Sequence, residues 1–248
     1  MLRSVLLPVG AAAILSAMAC PALADPVPSA VPALSASSAA AIVRLQFVVN
    51  GKKSDTGNEV AAAGSAPPAY NKKTIRATYA KTTQILGGLT FKRSATSIQS
   101  IAAGHANATT GIAATGSATV GSFRGTLTSP LGTLITVTTG KVSAHTNFTQ
   151  TTAGVPSVKG GTSLLNVKID APVLGINKTF SGTPKPNQVL YHNGDNSIVI
   201  YLNRQITTKV NNKVAALTVR ALDVQIRNYQ FAGNTISGNI TVAPTVAR

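Results

Sequence analysis

Carboxylates, three histidines and a series of basic doublets are the side chains of this chain best equipped for chemistry. Hydrolysis asks for paired carboxylates, or for a nucleophile beside its base. Beyond residue 24 the acids are Asp25, Asp55, Glu59, Asp170, Asp195 and Asp223, so a glycosidase-type pair would have to come from distant segments. No Gly-x-Ser-x-Gly elbow occurs. His105, His145 and His192 lie in three separate segments, with neither His-x-His nor His-x-x-x-His spacing, and predict hydrogen-bonding histidines. Asn193-Gly194-Asp195-Asn196 has the oxygen ligands of part of a calcium loop, but no further carboxylates at alternate positions, and reads as an Asn-Gly turn. Asp223, near Arg220 and Arg227 in a strand-like run, predicts an ion pair. These residues predict no catalytic centre, no metal site and no cofactor. A hydrolase using dispersed Asp and His residues, with Asp170, Asp195 and Asp223 as the positions to substitute, is a further alternative.

Charge points more clearly than catalysis. Lys and Arg number 22 against six Asp and Glu, and discounting Arg3 of the leader leaves 21 against six, a formal charge of +15. Exported proteins with such an excess meet polyanions: cell-wall polymers, lipopolysaccharide, acidic polysaccharide or nucleic acid. The bases are densest between Arg44 and Arg93, where Lys52-Lys53, Lys72-Lys73 and Lys92-Arg93 are the candidate polyanion-binding residues. Trp is absent and aromatics make up 4% of the chain, which weakens sugar-stacking platforms and specific nucleic-acid binding. Tyr191, Tyr201 and Tyr229 read as packing residues, and the Asn-x-Thr sequons at Asn107, Asn147, Asn177 and Asn239 as chance in a Thr-rich chain.

The chain opens MLRSVLLPVGAAAILSAMACPALADP, with a basic start, an apolar stretch and Ala22-Leu23-Ala24 as a small-x-small cleavage site. This predicts a secretory signal peptide over 1–24 and no membrane span after its removal. Cys20, the one cysteine, falls inside that leader, and Ala17-Met18-Ala19 before it is a poor lipoprotein signal. A cleaved chain would carry no disulfide. Residues 25–40 are rich in Pro, Ala and Ser and read as an extended linker, with a β-rich extracytoplasmic domain over 41–248.

Within that domain, β-branched runs are punctuated by Gly, Pro and Asn. Residues 94–122, dominated by Ala, Gly, Ser and Thr, predict short, closely packed strands, and APVLGIN predicts another short one. Residues 197–228, SIVIYLNRQITTKVNNKVAALTVRALDVQIRN, predict a hairpin turning at Asn211-Asn212. Ile198, Ile200, Leu202 and Ile206 are expected on one face and Tyr201, Asn203 and Gln205 on the other. In the return run the alternation slips at Ala221-Leu222, which predicts a bulge of one extra residue. A helix can be drawn through AALTVRALDVQI, but the Val and Ile content favours strand. The sum is an all-β fold, a two-sheet antiparallel β-sandwich with a C-terminal hairpin.

The run from GSATVGSFRGTL through TVTTGKVSAHTNFTQ, GGTSLLNVKIDAPVLGIN and PKPNQVLY to IVIYLNRQIT and ALTVRALDVQI carries a family pattern. It resembles the bacterial choice-of-anchor P family of exported proteins over roughly residues 110–230. The resemblance implies an extracytoplasmic β-rich domain held at the cell surface, and it implies no catalytic residues. The end TVAPTVAR departs from it, with no LPxTG signal and no apolar tail. The expectation is a secreted, non-catalytic protein of the cell surface or extracellular space with a structural or interaction role. Its partners would be anionic cell-envelope polymers or other surface proteins.

Overall fold

Tight Asn and Gly turns join consecutive strands and set the topology. Asn50-Gly51 and Asn211-Asn212 hold both residues at positive φ (49° and 77°; 49° and 61°). That turn has the twist two adjacent antiparallel strands require. The computed structural model describes residues 35–231 and 233–248. The expected leader, its Cys20 and most of the expected linker lie outside the described residues. In chain order the strands are β1 (Ala36–Ala40), β2 (Val43–Val49), β3 (Lys52–Glu59), β4 (Ala62–Ala66), β5 (Tyr70–Gln84), β6 (Thr90–Asn107), β7 (Gly111–Val120) and β8 (Ser122–Ser129). They continue with β9 (Gly132–Thr139), β10 (Val142–Gln150), β11 (Pro156–Ala171), β12 (Ile176–Gly182), β13 (Gln188–His192), β14 (Ile198–Val210), β15 (Lys213–Phe231) and β16 (Asn234–Ala247).

All pairing is antiparallel, in two sheets packed face to face. In the first sheet β13, β14, β15 and β16 follow one another. The far edge of β16 carries β2 and β1 end to end, which in turn pair β3 and β4. In the second sheet β5 pairs β6, which carries β8 and β7 end to end; beyond them lie β9 and β10 end to end, then β11 and β12. Each sheet is therefore six strands wide, and the fold is the expected sandwich.

Every broken course breaks at the same level. On β6 the inward residues are Phe91, Arg93 and Ala95, then Ile98, Ser100 and Ala102, a step of three where a strand takes two. The same step separates Val120 from Phe123, Thr139 from Val142, and Leu164 from Val167. In the first sheet it separates Ala40 from Val43, Glu59 from Ala62, Val219 from Leu222, and Val242 from Thr245. Ser97, Asn166, Asn203, Ala243 and Val60, all on this line, take positive φ between 48° and 51°. Where neighbours change phase together, the ladder resumes in its old register: Thr96 faces Ser122, and then Gln99 faces Thr119. Toward the edge strand β12, by contrast, β11 shifts register between Leu164 and Val167.

This line corrects the reading of the hairpin. Ala221-Leu222 holds no extra residue, since Leu202 faces Leu222 and Arg204 faces Arg220 without a shift. The hairpin's register-shifting bulge lies near its tip, between Thr208 and Lys209. The phase change at Asn203 also turns Gln205 inward, where its Nε2 donates to the Gly160 carbonyl oxygen at 3.0 Å. Ile206, expected inside, is the outward neighbour. AALTVRALDVQI is strand throughout, and β15 makes a second hairpin with β16.

The core thins toward one end of the sandwich and spans this line. Below it, Phe47, Phe91, Leu127, Leu134, Ile169, Leu222 and Ile240 fill the space between the sheets. Above it Ile98, Leu164, Leu217 and Val219 continue that core, and beyond them the inner face is small: Ala36, Ala114 and Ala247 pack with Ile112 and Phe148. A Cβ added at Gly116 would lie 2.8 Å from the Ala39 carbonyl oxygen of the opposite sheet. The small residues of 94–122 thus build long strands, one of 18 residues, where two backbones approach closely. The same need for small side chains explains why β1, ASSAA, is strand where linker was expected. Pro172, lacking an N–H, ends β11, so Pro172–Leu174 is a single 3-10 turn and not the expected short strand.

Gly116→Ala should therefore destabilise the fold by about 1–3 kcal/mol through overpacking. Urea denaturation would show a lower midpoint with an unchanged slope. An unchanged or higher midpoint would contradict the close approach.

Candidate functional site

The acids are mostly consumed inside the fold. Glu59, at the end of β3, is buried at the seam where the edge of the first sheet meets β5 and β6 of the second. Its Oε2 accepts from Arg93 Nε and from Tyr79 Oη, both at 2.6 Å, and its Oε1 accepts from Lys81 Nζ at 3.0 Å and from Arg93 Nη2. Arg93 Nη1 donates to Thr83 Oγ1 at 2.8 Å. Burial alone pushes the Glu59 carboxyl up, but the hydrogen bonds from Arg93, Tyr79 and Lys81, with the Arg93 charge, outweigh it and hold the group below its ordinary range. The Tyr79 hydroxyl, desolvated and donating to that carboxylate, is pushed up to about 12.

Asp223 is the second such centre. Its side chain is fully buried on the outer face of the first sheet, beneath Arg204 and Arg220, which both donate to it. Gln225 Nε2 at 3.0 Å, Asn239 Nδ2 at 3.1 Å and Thr241 Oγ1 at 3.1 Å complete its partners. The Arg204 guanidinium also lies 4.9 Å from the Tyr201 ring centre. The expected pairing with Arg220 is present, Arg204 joins it across the ladder, and Arg227 turns to Gln225 instead. Both of its oxygens are thus occupied by donors. Asp55 pairs with Arg44 at 2.8 Å, and its carboxyl is held low chiefly by that hydrogen bond. Asp195 Oδ1 accepts from the Ser197 N–H at 3.0 Å, so Asn193–Asn196 is a turn. Among the described residues, no three His, Cys, Asp or Glu side chains converge as metal ligands.

This pairing leaves the surface cationic. Of the 21 Lys and Arg residues between positions 35 and 248, five pair with Asp55, Glu59 or Asp223, and the other sixteen are exposed. The six expected binding residues do not meet. Lys52 and Lys53 sit at the start of β3, beside the Asn50-Gly51 turn. Lys72 and Lys73 lie on the edge strand β5 and point to opposite faces, as adjacent strand residues must. Lys92 stands on the outer face of β6, while the Arg93 side chain is wholly buried against Glu59 and offers nothing to solvent.

What gathers around Lys92 comes from other strands. A shallow depression of about 650 Å³ on the outer face of the second sheet is lined by Lys92, Arg124, Thr82, Ser94, Thr126 and Thr128. A second, of about 700 Å³, includes Thr138, Asn166, Lys168 and Thr179. The ladder joins the two, for Arg124 faces Thr138, Thr138 faces Lys168, and Lys168 faces Thr179. The result is a hydroxyl-lined trough running across the strands, with Lys92, Arg124 and Lys168 as its cations. Arg124 and Lys168 are isolated bases in FRGTL and VKID, so a search for doublets passes them over. Their signal is outward parity on neighbouring strands, which needs the register. No protein-family model matches the chain, and no curated protein matches it.

Glu59→Gln should cost about 3–5 kcal/mol at neutral pH by leaving Arg93 buried without its counter-charge. A depressed carboxyl contributes stability above its unfolded value, ordinarily near 4.5, and loses that contribution as pH falls through the folded value. The gap between wild type and variant should therefore be constant above pH 5 and close below it. A gap that does not depend on pH would contradict the ionised pair.

Proposed function

We propose that the protein is an exported, non-catalytic module of the cell surface or extracellular space that binds anionic cell-envelope polymers through the outer face of its second sheet. The observation that carries this reading is the disposal of charge. Three of the five acids between residues 35 and 248 are locked against cations, which leaves sixteen exposed bases. Lys92, Arg124 and Lys168 share one hydroxyl-lined face, where a polymer can reach all three. Charge so distributed steers polyanions and favours long ligands over small ones. The leader-like sequence of residues 1–24 supports export. Strands that are apolar inward and carry hydroxyls and cations outward favour a water-facing surface, since a lipid-facing barrel needs the reverse. The fully engaged carboxylates of Glu59 and Asp223 support a role without turnover.

The test is retention on immobilised heparin across a salt series. Lys92→Gln/Arg124→Gln/Lys168→Gln should elute at clearly lower salt than wild type. On the arithmetic of counterion release from nucleic acids, the salt slope should fall by about 0.7–0.9 per charge removed. Lys185→Gln/Lys209→Gln/Lys213→Gln, equal in charge but off this face, should elute nearer to wild type. Equal loss in both triple variants would reduce the effect to net charge and overturn the assignment of a face.

A further inference from the structure

Asp170 is the acid that pairing leaves over on the basic face. Its neighbours Ile169 and Ala171 are buried in the core, so the Asp170 side chain stands on the outer face with Lys168. The ladder sets it opposite Thr136 of β9 and Asn177 of β12. It is half-buried and, among the described residues, makes neither an ion pair nor a side-chain hydrogen bond. A carboxylate in that position discriminates between kinds of polyanion. A phosphate polymer presents negative charge and acceptors, which Asp170 repels. A sugar chain presents hydroxyl donors between its anionic groups, and an ionised carboxylate accepts strongly from hydroxyls.

The geometry points to an acidic polysaccharide as the ligand of this trough. Lys92, Arg124 and Lys168 hold its anionic groups, and Asp170 accepts hydrogen bonds from the sugar hydroxyls between them. The inference rests on the polyanion-binding reading above. Spacing supports it. Arg124 and Lys168 lie on one row, two strands apart, with Thr138 between them. At about 4.8 Å per strand that separates their Cα positions by about 10 Å. Such wide spacing leaves room for uncharged sugar atoms over Thr138, whereas a densely charged phosphate chain would leave most of its charges there without a cation.

The experiment compares polygalacturonate and polyphosphate at one ionic strength, by calorimetric titration of wild type and of Asp170→Asn and Asp170→Ala. Both variants lose no internal partner, and a cooperative melt is read alongside each titration. Loss of a hydrogen bond to a charged acceptor should weaken polygalacturonate by about tenfold in Asp170→Ala, and by less in Asp170→Asn, which keeps an acceptor oxygen. Polyphosphate should bind both variants more tightly than wild type, because a repelling charge is gone. Tighter binding of both polymers by both variants would make Asp170 merely repulsive and overturn the polysaccharide inference, with the polyanion reading intact. Failure of wild type to bind either polymer would remove the polyanion reading itself.

Discussion

The structure depends on one constraint: strands that share a ladder must change inward phase at the same level. A strand that stepped alone would turn its polar face to the core or slip its register by one residue. Here the step recurs from Ala95/Ile98 on β6 to Leu164/Val167 on β11, and from Ala40/Val43 to Val219/Leu222 in the first sheet. The cost is visible in the backbone. Val60, Ser97 and Ala243 sit at positive φ without being Gly or Asn, a conformation disfavoured by about 1–2 kcal/mol each. They hold it because neighbours on both sides hold the complementary step.

The buried charges lie beside this line. Glu59 is the last inward residue of β3 before the step, at a seam where no ladder joins β3 to β5, and its bonds to Arg93, Tyr79 and Lys81 tie the two sheets together there. Asp223 follows the step on β15 and draws Arg204 of β14 and Arg220 of β15, which face each other at the step. Internal neutralisation then has an external consequence. Acids spent in holding the sheets cannot offset the bases outside, so the second sheet presents Lys92, Arg124 and Lys168 among threonines, with Asp170 as their one acidic companion among the described residues. Scaffold and candidate binding face are linked through the same few carboxylates.

Much of the fold was legible in local pattern. Alternating β-branched residues and Asn and Gly turns led to antiparallel strands in two sheets, and to the hairpin of β14 and β15. The slip at Ala221-Leu222 was visible too, but its meaning was not. One strand's slip looks like a bulge, and only the matching steps on its neighbours reveal a line, which requires the register. The site was legible in its chemistry and obscure in its location. Doublets draw the eye, yet adjacent residues on a strand face opposite ways, so Lys72 and Lys73 separate and Arg93 goes inside. Arg124 and Lys168 join Lys92 across the ladder from points 32 and 76 residues further along the chain. The absence of a matching family leaves the resemblance to choice-of-anchor P proteins as an expectation that assigns no residue.

The shared phase step can be read directly with single cysteines, because the chain's one native cysteine is Cys20. In a Cys20→Ser background, cysteines are placed singly at positions 95, 96, 97 and 98 of β6 and labelled with a water-soluble thiol reagent in the folded protein. Two adjacent fast positions, 96 and 97, flanked by protected 95 and 98, are the predicted result, matching exposed Thr96 and Ser97 between buried Ala95 and Ile98. Strict alternation, with 95 and 97 behaving alike and 96 and 98 alike, would contradict the line on which the fold and its outer face are built.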